Sequence, residues 1–479
     1  MDKFKIFAAR TEDCMRNFDE KPHEIRSEFD RDRDRILYSK AFRRLSGKTQ
    51  VFVVGNDDHI RTRLTHTLEV AQISNTISKY LGMNVTLAEA ISLGHDIGHT
   101  PFGHVGERTL NNIMNGCYLI KNFNNNLNLE DKGFKHNWQG LRVVSELEQL
   151  KKGYCGLNLT NYTMWGILNH SKIKYKQCNK RNTENKCNLL LYGRDCNNGL
   201  NGEVSIGFYN KYSSCVENNS WTIEGLIVSM ADEISQRHHD IEDGIEAKLI
   251  NVTELVNIFK SYFNDFLNED ERNLIDYIEN ERDKIYYLPA LSKLIVNFLT
   301  FRLIRDTSDN LARIKKEFDI ETVSDFLECK YIIKENVGLE NIVSYSQDFK
   351  LQEEKFQEYL RNRILNSHKA QSMDGKADFI IRKLFKAYIT NPQQLPDKTI
   401  ITIYKNLLST DEFEVLEREN SIEALTGLLR DKLQKNHFNT CENSYKAVLL
   451  RVICDYISGM TDNYAIKQYS QLYGSEKAL

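Results

Sequence analysis

The stretch GHDIGHTPFGHVGE, residues 94–107, sets His95, Asp96, His99, His104 and Glu107 among glycines and a proline. Such a composition makes a tight, irregular connection that aims polar side chains into one space. Upstream, Leu64, Leu68, Ala71, Ile77 and Leu81 recur at helical spacing, so residues 64–81 read as an amphipathic helix. Thr86 followed by Glu89 has the form of a capping box opening a second helix that runs to about Gly94. His95 and Asp96 then stand at a helix end, and a further helix is expected to resume near Val105.

Residues 221–243 form a long amphipathic pattern. Ile223, Leu226, Ile227, Met230 and Ile234 mark the apolar side, and Asp232, Gln236, Asp240 and Asp243 share another face. With only five prolines and helical periodicity through most of the chain, the expected class is all-α. Hydrophobic periodicity weakens between residues 172 and 220, which reads as a polar insertion, and residues 123–133 form a smaller polar break. The expected organisation is a core over 1–250 carrying that insertion and a helical region over 251–479 packed on it. One helix in that region should stop at Asn391-Pro392.

The 64 basic and 67 acidic residues leave a net charge of -3, which excludes broad polyanion binding and makes any phosphate recognition local. No uninterrupted apolar run approaches the ~18 residues that a membrane span needs, and the N-terminal MDKFKIFAARTEDC lacks the apolar centre of a secretory signal. A cytoplasmic protein without membrane contact is therefore expected. Its ten cysteines should be reduced, and Cys178, Cys187, Cys196 and Cys215 lack a zinc-type spacing.

Six of the twelve histidines lie between His59 and His136. Histidine nitrogens combined with aspartate oxygens suit Mn, Fe, Co, Ni or Zn, and accommodate Mg less readily. His66, His95, Asp96 and Asp232 supply such a set from three separated stretches, leaving positions for water and substrate oxygens.

This H…HD…D arrangement resembles the HD-domain phosphohydrolases. DRDRILYSKAFRRLSGKTQVF at 32–52, TRLTHTLEVAQIS at 62–74, GHDIGHTPFGHVGE at 94–107, FKHNWQGLRV at 134–143 and MADEISQRHHDIEDGI at 230–245 are similar to the dGTPase-like branch. The resemblance implies an HD-domain helical core, a divalent cation such as manganese or magnesium, and hydrolysis of a dNTP to deoxynucleoside and triphosphate. It gives His104 the place of general acid, oriented by Glu107, and sets His99 and His136 along the phosphate path. Gln50 falls near the sugar and Asp240 at the 3′-hydroxyl, with Gln236 standing where relatives usually have Tyr. Arg63, one turn before His66, is placed to bond phosphate or stack on a base.

The branch also implies a tetrameric or hexameric homo-oligomer, in some members activated by a nucleotide. Arg43, Arg44 and Lys48 form a basic cluster that suits triphosphate, a regulatory nucleotide or plain solvation. Two alternatives stay open: an HD phosphohydrolase acting on other nucleotides, and a regulatory or single-stranded-DNA-binding protein with the same fold.

Overall fold

The computed structural model describes residues 3–50, 61–120, 123–124, 127–151, 154–171, 175–177, 190–192, 207–216, 219–281, 283–364, 367–439 and 443–474. Its first part contains α1 (Glu28–Tyr38), α2 (Lys40–Arg44), α3 (Arg63–Leu81), α4 (Val85–Gly94), α5 (Gly103–Met114), α6 (His136–Arg142), α7 (Asn161–Asn169) and α8 (Ile223–Glu246). There follow α9 (Val252–Phe263), α10 (Glu269–Asn280), α11 (Lys284–Glu317), α12 (Val323–Asn336), α13 (Gln347–Ile364) and α14 (His368–Thr390). The chain ends in α15 (Asp397–Leu407), α16 (Thr410–Glu419), α17 (Ile422–Asn439), α18 (Asn443–Ser458) and α19 (Asp462–Tyr473). The class is all-α; among the described residues the only strands are β1 (Tyr175–Gln177) and β2 (Leu190–Tyr192), paired antiparallel.

Local signals set most helix ends. Thr62 caps α3 by accepting from the Thr65 N–H, and Gly82, at φ 79°, closes it in the left-handed conformation. The start of α4 differs from expectation: Asn84 caps it by accepting from the Leu87 N–H, so Thr86 already lies inside the helix. Glu89 turns instead toward Arg33, 3.3 Å away. As expected, α14 ends at Thr390, just before Asn391-Pro392.

The buried face of α3 is not the stripe that its leucines suggest, because Leu68 is 52% exposed. Ala71, Ile77 and Leu81 of the expected stripe are buried, and Arg63, His66, Thr67, Val70, Ile73, Ser74 and Ser78 share the inward face with them. Thr67 and Ser74 can be buried because their hydroxyls donate to the Arg63 and Val70 carbonyls one turn back, each at 2.7 Å. Apolar periodicity misses such a face, since hydroxyl residues occupy part of it.

The region after residue 250 divides between two cores. α9 to α13 pack with α3, α4 and α8, where Phe259, Phe263, Phe298, Phe349 and Phe356 nest together. Burying each of these rings contributes roughly 1.5–3 kcal/mol. α14, α15 and α17 to α19 instead pack around α5 and Phe134. α11 is long and apolar enough to cross a membrane by length and composition, and it buries Leu291, Leu294, Ile295, Phe298, Leu299 and Leu303 in the first core.

Part of the expected polar insertion is core. Residues 207–216 form a short helical segment in which Tyr209 and Tyr212 are buried. The Tyr209 hydroxyl donates to Gln139 Oε1 at 2.9 Å, and the Arg451 guanidinium lies 3.9 Å from the Phe208 ring centre. Spaced aromatics in a polar background hid this anchor. Cys178, Cys187 and Cys196 lie outside the described residues.

Candidate active site

α3 delivers His66, the end of α4 delivers His95 and Asp96, and α8 delivers Asp232, all at 3% exposure or less. His66 Nε2 lies 2.9 Å from Asp232 Oδ1, and His95 Nε2 lies 3.6 Å from Asp96 Oδ1 and 4.0 Å from Asp232 Oδ1. The Nδ1 of His95 is 2.6 Å from the Ser92 carbonyl and must donate to it, so in the neutral imidazole Nε2 is the nitrogen that carries the lone pair. That Nε2 is buried without a hydrogen-bond partner. A lone pair held in this way, beside an imidazole and two carboxylates, fits a divalent cation. His66, His95 and Asp96 each offer a ligand atom within 4.8 Å of the others.

Burial disfavours both carboxylates as anions, yet neighbouring charges prevail. Against that burial, Arg63, His99 and His95 hold Asp96 well below the usual carboxylate range, while the His66 contact keeps Asp232 at about 2. Both are ready ligands at neutral pH.

A second group adjoins the first. Gly98 packs so closely on α6 that a Cβ there would stand 2.1 Å from the His136 carbonyl oxygen, so only glycine permits the contact. This approach stacks His99 on His136, with ring centres 3.8 Å apart, while His99 Nε2 reaches Asp96 Oδ1 at 3.1 Å. His104 lies 5.5 Å from the His99 ring and has the exposed imidazole of the group. Glu107, expected to orient His104, reaches α6 instead. It accepts from the His136 N–H at 3.3 Å, pairs with His136 Nδ1, and accepts from Lys135 Nζ at 2.7 Å. The donors at a helix N-terminus draw the carboxylate across. Burial lowers His136 to about 3 despite Glu107, so a neutral imidazole donates to a glutamate held anionic by His136 and Lys135. Although its imidazole reaches solvent, the protein packed around the rest of His104 lowers its pKa more than the Glu107 charge raises it.

Arg63 is not open to solvent: its guanidinium donates to Asp96 Oδ2 at 2.7 Å. Gln236 donates to Asp232 Oδ1 at 3.2 Å. Gln50 carries a buried Oε1 without a partner, and its backbone passes beside Gly103 at the start of α5. Asp240, two turns past Asp232, is raised to about 6 by burial and Asp243, against the opposing Arg237. Lys48 is buried and donates to the His99 and Ser458 carbonyls, so it leaves the basic cluster expected with Arg43 and Arg44.

Sequence reasoning passed over His170, Lys135 and His239. The His170 ring bridges the two groups, 5.1 Å from His95 and 5.4 Å from His136, and His239 lies 5.2 Å from His66. The only signal for His170 was its Asn169-His170-Ser171 position at a helix end.

Residues 63–155 match the HD domain model, and residues 343–406 and 420–471 match the phosphohydrolase-associated domain. A deoxyguanosinetriphosphate triphosphohydrolase-like protein of Geobacter metallireducens is 31% identical over 98% of this chain and 94% of its own length. The chain belongs to this family of HD-domain phosphohydrolases. Proteins of the same name from Pelagibacter ubique and Rickettsia rickettsii are 33% identical over 92% of this chain and 30% identical over 95% of it. The HD-domain match spans His66, His95, Asp96 and the loop to Glu107, whereas Asp232 lies beyond it. In this HD phosphohydrolase the associated domain runs through α13 to α15 and α17 to α19, of which α14 and α18 pack directly on α5.

Proposed function

We propose that this chain hydrolyses deoxynucleoside triphosphates, dGTP among them, to deoxynucleoside and inorganic triphosphate. The observation that carries the reading is the juxtaposition of a four-residue His/Asp set, holding an unpartnered His95 Nε2, with an exposed histidine one ring away from it. Relatives across nearly the whole chain bear the name of that activity.

A divalent cation held by His66, His95, Asp96 and Asp232 would supply Lewis acidity toward a phosphate oxygen and lower the pKa of a water. Every other part falls to the chain's own groups. Arg63 neutralises Asp96, so that the carboxylate keeps its position. To His104, the exposed imidazole of the group, falls the proton for the departing 5′-oxygen, which leaves poorly as an alkoxide. Glu107 and Lys135 fix His136, whose ring in turn backs His99. Gln50 and Asp240 are assigned to the sugar, and Gln236 to the orientation of Asp232. The reading carries with it a cytoplasmic tetramer or hexamer, which sedimentation would measure.

Incubating the full-length protein with Mn²⁺ and each dNTP, then resolving products by anion exchange, tests the proposal. Inorganic triphosphate is the expected product; phosphate or pyrophosphate rejects it. Nucleoside monophosphates, cyclic nucleotides and guanosine polyphosphates in the same assay separate the other HD chemistries. A nucleotide activator or single-stranded DNA would show as a change in rate on its addition.

A further inference from the structure

Phe102 occupies the left-handed region, φ 61° and ψ 27°, immediately before α5. For a residue with a Cβ that conformation costs about 1 kcal/mol or more and needs holding by its surroundings. The chain must turn there, because His99 lies on one side of the bend and His104 on the other. The holding group comes from the far end of the sequence. Asp462, the first residue of α19, is completely buried, and its Oδ1 accepts from the Phe102 N–H at 2.9 Å. Its Oδ2 accepts from the Thr49 N–H at 2.9 Å and from the Thr49 hydroxyl at 2.6 Å, tethering the residue beside Gln50.

Lys48 adds a second tie, donating to the His99 carbonyl and, at 3.0 Å, to the Ser458 carbonyl at the end of α18. The seam is close: a Cβ on Gly47 would stand 2.8 Å from Thr461 Cγ2.

We infer that Asp462 is a positioning residue for hydrolysis, through which the associated domain holds both the strained bend between His99 and His104 and the Thr49–Gln50 segment. The inference rests on the proposed function for its kinetic consequence only. One carboxylate serves two backbone segments, and a neutral side chain there cannot accept all three hydrogen bonds.

Asp462→Ala, Asp462→Asn and Thr49→Val in the full-length protein test it, alone and with Thr49→Val added to Asp462→Ala. Hydrogen exchange of the peptide containing Phe102 should quicken about tenfold in Asp462→Ala, the loss of one buried hydrogen bond, with the α3 peptide unchanged. Metal content should equal the wild type, kcat should fall about tenfold or more with KM nearly constant, and Asp462→Asn should lie between. Adding Thr49→Val should cost little beyond Asp462→Ala, because the acceptor is already gone. Unchanged exchange at Phe102, wild-type kcat in folded Asp462→Ala, or fully additive losses would overturn the inference. A wild type that turns over no nucleotide sinks the proposed function, while the exchange result still decides the role of Asp462 in holding the bend.

Discussion

Of the three histidine–carboxylate groups among the described residues, the two that share α3 and α8 behave differently. In the first, His66, His95, Asp96 and Asp232 are fully buried, and His95 Nε2 faces the cluster without a partner. In the second, Glu69, His238 and His239 also bring ligand atoms within 4.8 Å, but their charges answer one another. Glu69 lies 2.5 Å from His239 Nε2 and 3.3 Å from His238 Nδ1, and the other His238 nitrogen is 3.0 Å from Glu242. Although burial opposes it, the two glutamates raise His238 to about 9, so it is an imidazolium at neutral pH and has no lone pair to offer. Residue types and spacing are alike in the two clusters. What differs is that a cationic His238 already answers the carboxylates of the second cluster, although His239, lowered to about 4 by burial, also carries a buried Nδ1 without a partner.

The largest test of that contrast is Asp96→Ala. Removing one proposed anionic ligand and the partner of Arg63 should abolish bound metal, read by elemental analysis, and lower turnover by roughly 10³-fold or more. Metal at wild-type occupancy would break the comparison on its first side. His104→Ala comes next: turnover should fall roughly 10²–10⁴-fold with metal content unchanged, because the role proposed for His104 is to give a proton and not to hold an ion. Parallel loss of metal would move His104 into the ligand set.

Asp240→Asn probes a carboxylate on the same helix as Asp232 with no cation drawn close enough to keep its pKa low. Its folded pKa of about 6 lies above the unfolded ~3.9, so ionising it destabilises the fold progressively as pH rises from ~4 to 6. The substitution should raise stability at pH 7 by roughly 1–2 kcal/mol, seen as a higher Tm, while weakening nucleotide binding. An unchanged Tm would show that Asp240 is already solvated.

The smallest effect belongs to the second cluster. Glu69→Gln should leave metal stoichiometry untouched and bring the His238 titration, followed by NMR, down from about 9. The folded pKa of His238 lies above its ordinary 6.5, so its contribution to stability is full below 6.5 and is lost as pH rises through about 9. With Glu69 about one-third exposed, solvent screening limits the loss to about 1 kcal/mol. Loss of a second equivalent of metal in this variant would erase the distinction between the clusters.

Both the all-α class and the HD-domain membership were legible because helical spacing, caps and the His95-Asp96 dipeptide are local features of the chain. Both ends of α3 and the last residue of α14 could be read to within about two residues, and the end of α8 to within about three, for the same reason. Which charge answers which was not legible. Glu107 sits three residues from His104 on one helix yet bonds His136 and Lys135, because α6 presents its N-terminal donors across the Gly98 contact. Arg63 meets Asp96 and not solvent, and Asp462 meets Phe102 across 360 positions of sequence. The buried tyrosines of 207–216 and the exposed Leu68 belong to the same class. The sequence thus determined the helices and the residue types of a metal-fitting site, since backbone propensity and ligand chemistry act over a few residues. Only the tertiary structure decided the partner of each buried charge, because in a low-dielectric interior that choice depends on whichever distant group packing brings nearest.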